Sequence, residues 1–305
     1  MSRQHLMTTA EVADYLRIKE RKVYDLVASD RIPCTRVTGK LLFPKPLVDL
    51  WIASGTSGID DGRRAVRPMI AAGSHDPLLD WALRRADAGI AMLFDGSLNG
   101  LRRFLDGDAL FCGLHVPRFG GGDVEGPQES NTHLFSVGGQ GGAAASQIVL
   151  IEWARRQQGL ILPAGNPMQI ESLQDLARKG AVLRARQPEA GSRVLLEGLL
   201  AQAGLSAGSL KLDDMVAQSE TEAATAVADG EADAAFGIAA AAKRFNLAFA
   251  PLAAERYDLA VDRRDYFEPP FQALLAVARG EAFRAQAEKL GGYDVSSCGR
   301  VVLNG

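Results

Sequence analysis

Four short stretches of this chain bring hydroxyl, imidazole, amide and guanidinium groups next to glycine in a way that could hold a ligand. They are Ala72-Gly73-Ser74-His75-Asp76, Asp95-Gly96-Ser97-Leu98-Asn99-Gly100, Glu189-Ala190-Gly191-Ser192-Arg193 and Ser219-Glu220-Thr221-Glu222. Each of the first three leaves an apolar run and enters a helical pattern, and Pro77 follows the first at the position a helix tolerates proline. The fourth opens the helix AATAVADGEAD. Backbone N–H groups at a helix start, backed by the helix dipole, favour an anion or a polar ligand. Each stretch is also an ordinary helix cap when taken singly. Four in one chain favour a ligand site, although sequence alone does not make them converge.

Catalytic chemistry is not indicated. Ser74, His75 and Asp76 are triad residue types, but adjacent residues cannot form the relay, which meets through the fold. DGSLNG is not the GxSxG nucleophile elbow. GGQGGAAAS, residues 138–146, lacks the Lys-Ser/Thr of a P-loop and the GxGxxG spacing, and is expected to be a turn. The four histidines show no HxxxH spacing, and Cys34, Cys112 and Cys298 form no CxxC pair. No metal, cofactor or enzyme activity is expected. His75 could contact a ligand or be a satisfied structural histidine.

The elements that must position these groups alternate between strand and helix. MIAAG precedes PLLDWALRRADAG, AMLFDG precedes LNGLRRFLDGDA, and AVLRARQ precedes SRVLLEGLLAQAG. LFCGLHV, LFSVGG, ADAAFGI, LAFAPL and DLAV read as further strands. This alternation implies an α/β body with a mostly parallel sheet, with functional residues in loops at the carboxyl ends of strands. The 305 residues, 47% apolar and 23% charged, suit two or three folding units. No run approaches the ~18 apolar residues of a membrane helix, and the start lacks a secretory pattern, so a cytoplasmic protein is expected.

The net charge of −3 is unevenly spread. Residues 1–50 hold nine Lys/Arg against six Asp/Glu, and the remainder holds 25 against 31. A basic head on an acidic body is compatible with nucleic-acid binding through the head. In the head, Thr8-Thr9-Ala10-Glu11 carries a capping box. Val12, Tyr15 and Leu16 give one apolar face, and Val23, Leu26 and Val27 another. CTRVTGKLLFP alternates like a hairpin turning at Thr38-Gly39-Lys40, and Pro46 begins a third helix.

The stretches YLRIKERKVYDLV, RIP and RVTGKLLFP resemble the excisionase and MerR-like winged helix-turn-helix family. Lys19 departs from it, standing where that family usually has a serine or threonine cap. The resemblance implies that Glu20, Arg21, Lys22 and Tyr24 approach base edges or phosphates of double-stranded DNA, with Arg36 and Lys40 on the wing. One head of this size buries little surface, so a homodimer is expected. SGTSGIDDGRRAV, residues 54–66, then reads as a linker.

The body resembles the periplasmic-binding-protein-like domains fused to helix-turn-helix heads in bacterial regulators, which are related to molybdate/tungstate-binding proteins. GSHDPLLD, DGSLNGLRRFLDGDA, NPMQIESLQDLARKG, RARQPEAGSRVLLEGLL and TEAATAVADGEADAAFGI carry the likeness. It implies a bilobed, type II fold over residues 67–305, with lobe one at about 67–160 plus 256–305 and lobe two at about 161–255. The crossings would fall near Leu162-Pro163-Ala164 and Pro251–Tyr257. Ser74, His75, Ser97 and Asn99 would then face Gly191, Ser192, Arg193 and Thr221 across a cleft, with His115 and Arg186 as further contacts. Glu189 and Glu220 would repel a bare oxyanion if they pointed inward, which leaves a small polar metabolite open beside a molybdate- or tungstate-like oxyanion. The expected function is a ligand-responsive, DNA-binding transcriptional regulator, with residues 1–53 as its DNA-binding domain. The alternatives are an architectural DNA-binding protein with a ligand-free dimerisation body, and an enzyme of molybdenum-cofactor metabolism.

Overall fold

The computed structural model describes residues 6–29, 31–37, 40–54, 67–117, 131–135 and 147–304. The head opens with β1 (Leu6–Thr8) and α1 (Thr9–Leu16). Thr8 and Glu11 close the capping box in both directions, the Thr8 N–H donating to Glu11 Oε2 at 2.7 Å and the Glu11 N–H to Thr8 Oγ1 at 3.3 Å. Arg17 leaves the helix in the left-handed region, with φ 53°. α2 (Glu20–Ala28) follows, and Lys19 gives its start no side-chain cap. β2 (Thr35–Val37) and β3 (Lys40–Pro44) pair antiparallel as the expected wing, and α3 (Lys45–Ser54) closes the head. The wing's turn at Thr38-Gly39 lies outside the described residues. β1 pairs with β3 as a third strand that sequence reading did not identify, because three residues carry too little alternation to register. Val12, Ala13, Val23, Leu26, Ile32, Phe43 and Val48 form one small core.

The body begins with β4 (Ile70–Gly73), α4 (Pro77–Ala86), β5 (Ala91–Leu93), α5 (Ser97–Asp106) and β6 (Phe111–Leu114). A strand of fifteen residues, β7 (Ile148–Leu162), leads on to α6 (Leu173–Lys179), β8 (Val182–Arg186), α7 (Gly191–Gln202), β9 (Lys211–Ala217), α8 (Glu220–Ala228), β10 (Ala234–Ile238) and α9 (Ala239–Arg244). A second fifteen-residue strand, β11 (Ala248–Asp262), returns to α10 (Arg263–Tyr266), α11 (Pro269–Ala278), α12 (Glu281–Leu290), β12 (Tyr293–Asp294) and β13 (Val301–Asn304). The residues expected as a linker, from 55 to 66, lie outside the described ones, as do the glycine-rich residues 138–146.

The sheet runs β5-β4-β6-β11-β7-β10-β8-β9, with β12 and β13 added along β7. β4, β5 and β6 are parallel, as are β8, β9 and β10. β7 and β11 pair antiparallel along their whole length and thread both lobes. The first half of β7 pairs with β13 and its last residues with β10; the end of β11 pairs with β6. The chain therefore passes between lobes inside these strands, near Arg155–Gln158 and Pro251–Tyr257. Leu162 is the far end of β7 and not a crossing point, because β10 continues the ladder to Ile161. LAFAPL and DLAV, which read as two strands, are one. Register shifts at Pro251/Ala253 and Tyr257/Asp258 break its alternation while the ladder continues. The start of LFSVGG is also not a strand, since Thr132–Leu134 form a turn of 3₁₀ helix.

Lobe one packs Trp153, Tyr257, Phe271 and Phe283 under α4, α11 and α12. Lobe two packs Leu160, Leu183, Leu195 and Phe236 on one face of its sheet and Ile161, Ala223 and Val227 on the other. No helix among the described residues is long and apolar enough to cross a membrane.

Candidate ligand cleft and DNA-facing helix

Three elements of lobe one deliver polar groups to the junction between lobes. β4 ends at Gly73, whose φ of 114° turns the chain so that Ser74 lands against β6. The Ser74 N–H donates to Gly113 O at 2.8 Å, and the Tyr257 hydroxyl donates to Ser74 O at 2.6 Å. β6 ends by placing His115, stacked on Tyr257 at 5.8 Å, beside that serine. α5 starts at Ser97, whose Oγ accepts the His115 N–H at 3.2 Å. Ser74, Ser97 and His115 are all buried.

The crossing strands supply the charges. Ser74 Oγ lies 2.9 Å from His115 Nε2, and His115 Nδ1 lies 2.7 Å from Glu255 Oε2. Glu255 also accepts from Gln158 at 2.8 Å and from Arg156, which bridges to Asp76 at 2.9 Å. Asp76 caps α4 through the Leu79 N–H at 2.7 Å and accepts from the Tyr293 hydroxyl at 2.6 Å. Burial would raise the Glu255 carboxyl, but Arg156 and then His115 outweigh it and hold it down at about 2. Burial raises both tyrosine hydroxyls. A chain of partnered groups therefore runs from Ser74 through His115, Glu255, Arg156 and Asp76 to Tyr293.

Lobe two meets this wall with the start of α7. The Leu98 N–H donates to Glu189 O at 3.2 Å across the junction. Gly96 and Gly191 sit where a Cβ would run into the backbone of Glu189 and of His115. These glycines let the two lobes close until their backbones touch. Behind them Arg186 pairs with Glu220 at 2.5 Å and donates to Ala217 O and Gln218 O. Glu220 thus turns toward Arg186, and its other oxygen accepts the Ile238 N–H at 3.4 Å.

Among the described residues, the buried polar atoms here without a hydrogen-bond partner are Ser192 Oγ, on a fully buried residue at the start of α7, His75 Nδ1, Gln158 Oε1, Arg156 Nε and Asp95 Oδ1. His75 stands edge-on to Phe94 at 6.0 Å. Burial lowers its pKa, against the pull of Asp76 and Glu220. Leaving a buried hydroxyl unbonded costs about 1–3 kcal/mol. A polar guest would relieve that cost.

Ser74, Ser97, His115, Gly191 and Ser192 are therefore brought to one junction, with His75 at its edge and Arg186 behind it, neutralised by Glu220. Asn99 bonds back to Asp95 O at 3.3 Å and accepts from Arg102. Arg193 pairs with Glu197 on its own helix at 2.7 Å. Thr221 is half-buried in the first turn of α8. Sequence reading missed Asp76 as a cleft residue, and with it Arg156, Gln158, Glu255, Tyr257 and Tyr293. A signal was present: Arg156/Gln158 and Glu255/Tyr257 are polar or amphipathic pairs two residues apart inside long strands, so each pair shares a face.

Residues 81–279 match the family model described as PBP superfamily domain. The chain belongs to that family. Residues 6–56 match the helix-turn-helix domain model. Across its length the chain is similar to "Uncharacterized protein YvgK" of Bacillus subtilis, 25% identical over 311 residues that cover 97% of each chain. It is also 38% identical over 80 residues to "Uncharacterized protein in ferredoxin 2Fe-2S gene 5'region" of Clostridium pasteurianum, covering 26% of this chain and 71% of that one. Among solved structures it is similar to a histidine kinase sensor domain with similarity to periplasmic binding proteins. That match has 16% identity and a TM-score of 0.45 and covers 76% of this chain and 99% of that one.

In the helix-turn-helix domain, Val23 and Leu26 bury one face of α2, while Glu20, Arg21, Lys22 and Tyr24 are exposed on the others. Lys40 is exposed at the start of β3, and Arg36 pairs by its backbone with Leu41 on that strand. A helix-turn-helix domain joined to a PBP-like domain is the composition of a ligand-responsive DNA-binding regulator.

Proposed function

We propose that this chain is a transcriptional regulator in which residues 1–53 bind operator DNA as one half of a homodimer, through Glu20, Arg21, Lys22 and Tyr24 on α2 and Arg36 and Lys40 on the wing. Residues 54–66 link this head to a sensor in which a small ligand closes the two lobes. The observation that carries the reading is the buried Ser192 hydroxyl without a partner among the described residues, next to Gly191, which meets His115 of lobe one at a junction that already holds Ser74 and Ser97. The arginines of this junction are spoken for by carboxylates, so the ligand is recognised by hydroxyls and helix-start N–H groups and not by a free cation. A tetrahedral oxyanion of the molybdate or tungstate kind is the first ligand to try, and small polar metabolites are the next.

The test is to select binding duplexes from a randomised DNA pool and measure their affinity with and without each candidate ligand. A regulator changes its DNA affinity with one ligand; an architectural protein shows no change with any.

A second reading rests on one observation, the Ser74–His115–Glu255 line, whose spacing is that of an acyl-transfer relay. Arg156 shares the charge of Glu255 and so weakens its pull on His115. Labelling of Ser74 by a fluorophosphonate probe, lost in His115→Gln, supports this reading, and unlabelled protein rules it out.

A further inference from the structure

α5 touches both lobes and the head. Its first turn belongs to the cleft, through Ser97 and the Leu98 N–H bond to Glu189 of lobe two. Gly100 lies so close to Gly73 that a Cβ would collide with backbone, which pins the helix to the end of β4. Arg103 reaches back to Asp95 with bonds of 2.9 and 3.0 Å and braces the same turn. Its apolar face, Leu98, Leu101 and Phe104, forms a cluster with Cys112, Leu114 and Leu150 of the sheet. Two residues from elsewhere pack on that cluster: Val194 of α7 in lobe two and Leu47 of α3 in the head. The first described residue after the gap, Arg67, ends on the same helix. Its guanidinium donates to Phe104 O at 2.5 Å and to Ala109 O at 3.0 Å, and lies 4.6 Å from the Phe104 ring centre.

Inside the head, α3 is tied to the DNA-facing unit. Val48 and Trp51 join the head core, while Leu47 points away from it to α5. Asp49 accepts from the Tyr15 hydroxyl of α1 at 2.7 Å and pairs with Lys45 at 2.9 Å, and Lys45 also sits over the Tyr15 ring.

We propose that α5 is the lever by which lobe closure reaches the DNA-binding head, with Leu47 as the residue that couples the two. The inference rests on the regulator reading for its purpose. A contact shared by both lobes and the head has two arrangements, lobes closed and lobes apart, and both ends of the molecule bias it. Packed helices shift as units under such a bias.

The test needs neither ligand nor DNA, so its failure is distinguishable from a failure to sense. Gly191→Val wedges the cleft from lobe two against the His115 carbonyl, and Gly96→Ala wedges it from lobe one against Glu189. Hydrogen–deuterium exchange is read on the full chain for each wedge, alone and with Leu47→Ala. Either wedge is expected to speed exchange at residues 97–100 and, by about threefold or more, at residues 45–54. In the Leu47→Ala background the wedge is expected to add nothing at 45–54. Faster exchange at 97–100 with 45–54 unchanged overturns the proposal. So does a wedge effect at 45–54 that survives Leu47→Ala in full.

Discussion

The helix proposed to face DNA and the candidate ligand cleft treat charge in opposite ways. On α2, Glu20, Arg21 and Lys22 stand exposed to water, at little cost, and under the proposed function the two cations among them are the groups that would meet phosphate. In the cleft, Arg156, Asp76 and Glu255 are buried and consume one another, and Arg186 and Glu220 do the same behind it. Among the described residues, the unpartnered atoms there include the Ser192 hydroxyl, a His75 nitrogen and the Gln158 amide oxygen. Under the proposed function the contrast separates two kinds of recognition within one chain: long-range attraction at the head, and short-range hydrogen bonding in a buried junction.

The comparison breaks most visibly if the buried charges are removed. Glu255→Gln leaves Arg156 with one carboxylate fewer in a buried site, and the expected loss is about 3–5 kcal/mol in urea denaturation of the whole chain. A change below about 1 kcal/mol would mean that the network is wet and its groups interchangeable.

The head should answer differently. Arg21→Ala with Lys22→Ala is expected to leave stability within about 0.5 kcal/mol. If both meet phosphate, the salt slope of DNA affinity should flatten by about two counterions. An unchanged slope would take these residues off the DNA.

How much of this was legible in the sequence follows the same division. The head could be read locally: Thr8 and Glu11 are three residues apart, and the faces of α1 and α2 repeat at helical spacing. The two lobes and the serines at helix starts were legible because each lies within one strand–helix unit. The inner wall was not, because Glu255 meets His115 across 140 residues of chain and Asp76 meets Tyr293 across 217. Pairing at that separation is decided by the ladder between β7 and β11, and Arg156 and Glu255 sit opposite each other in its register as Glu255↔Arg156. Reading DLAV and LAFAPL as separate strands hid that register. Arg193 has a local partner that the spacing also offered: Glu197 stands one helical turn away and pairs with it.

Ser192→Ala sharpens the contrast from the cleft side. Removing an unpartnered hydroxyl is expected to change stability by less than about 1 kcal/mol, while lowering ligand affinity about tenfold. Equal losses in both would make Ser192 a structural cap.

The smallest expected effect is the pH response of His75. Burial holds its pKa below the ordinary value in the folded chain. As pH falls below about 6.5 the unfolded chain takes up the proton first, so stability declines from there toward the folded value. Replacing the ring in His75→Asn should flatten that decline, as measured by urea midpoints at pH 7.5 and 5.5.

One measurement tests the sensor claim most directly: a thermal-shift titration of the full chain against molybdate, tungstate, sulfate, phosphate and small carboxylates, repeated on Ser74→Ala/Ser192→Ala. A saturable rise in melting temperature with one of these ligands, absent from the double variant, is the expected result. A rise of equal size in the double variant would contradict it, placing the ligand outside the cleft.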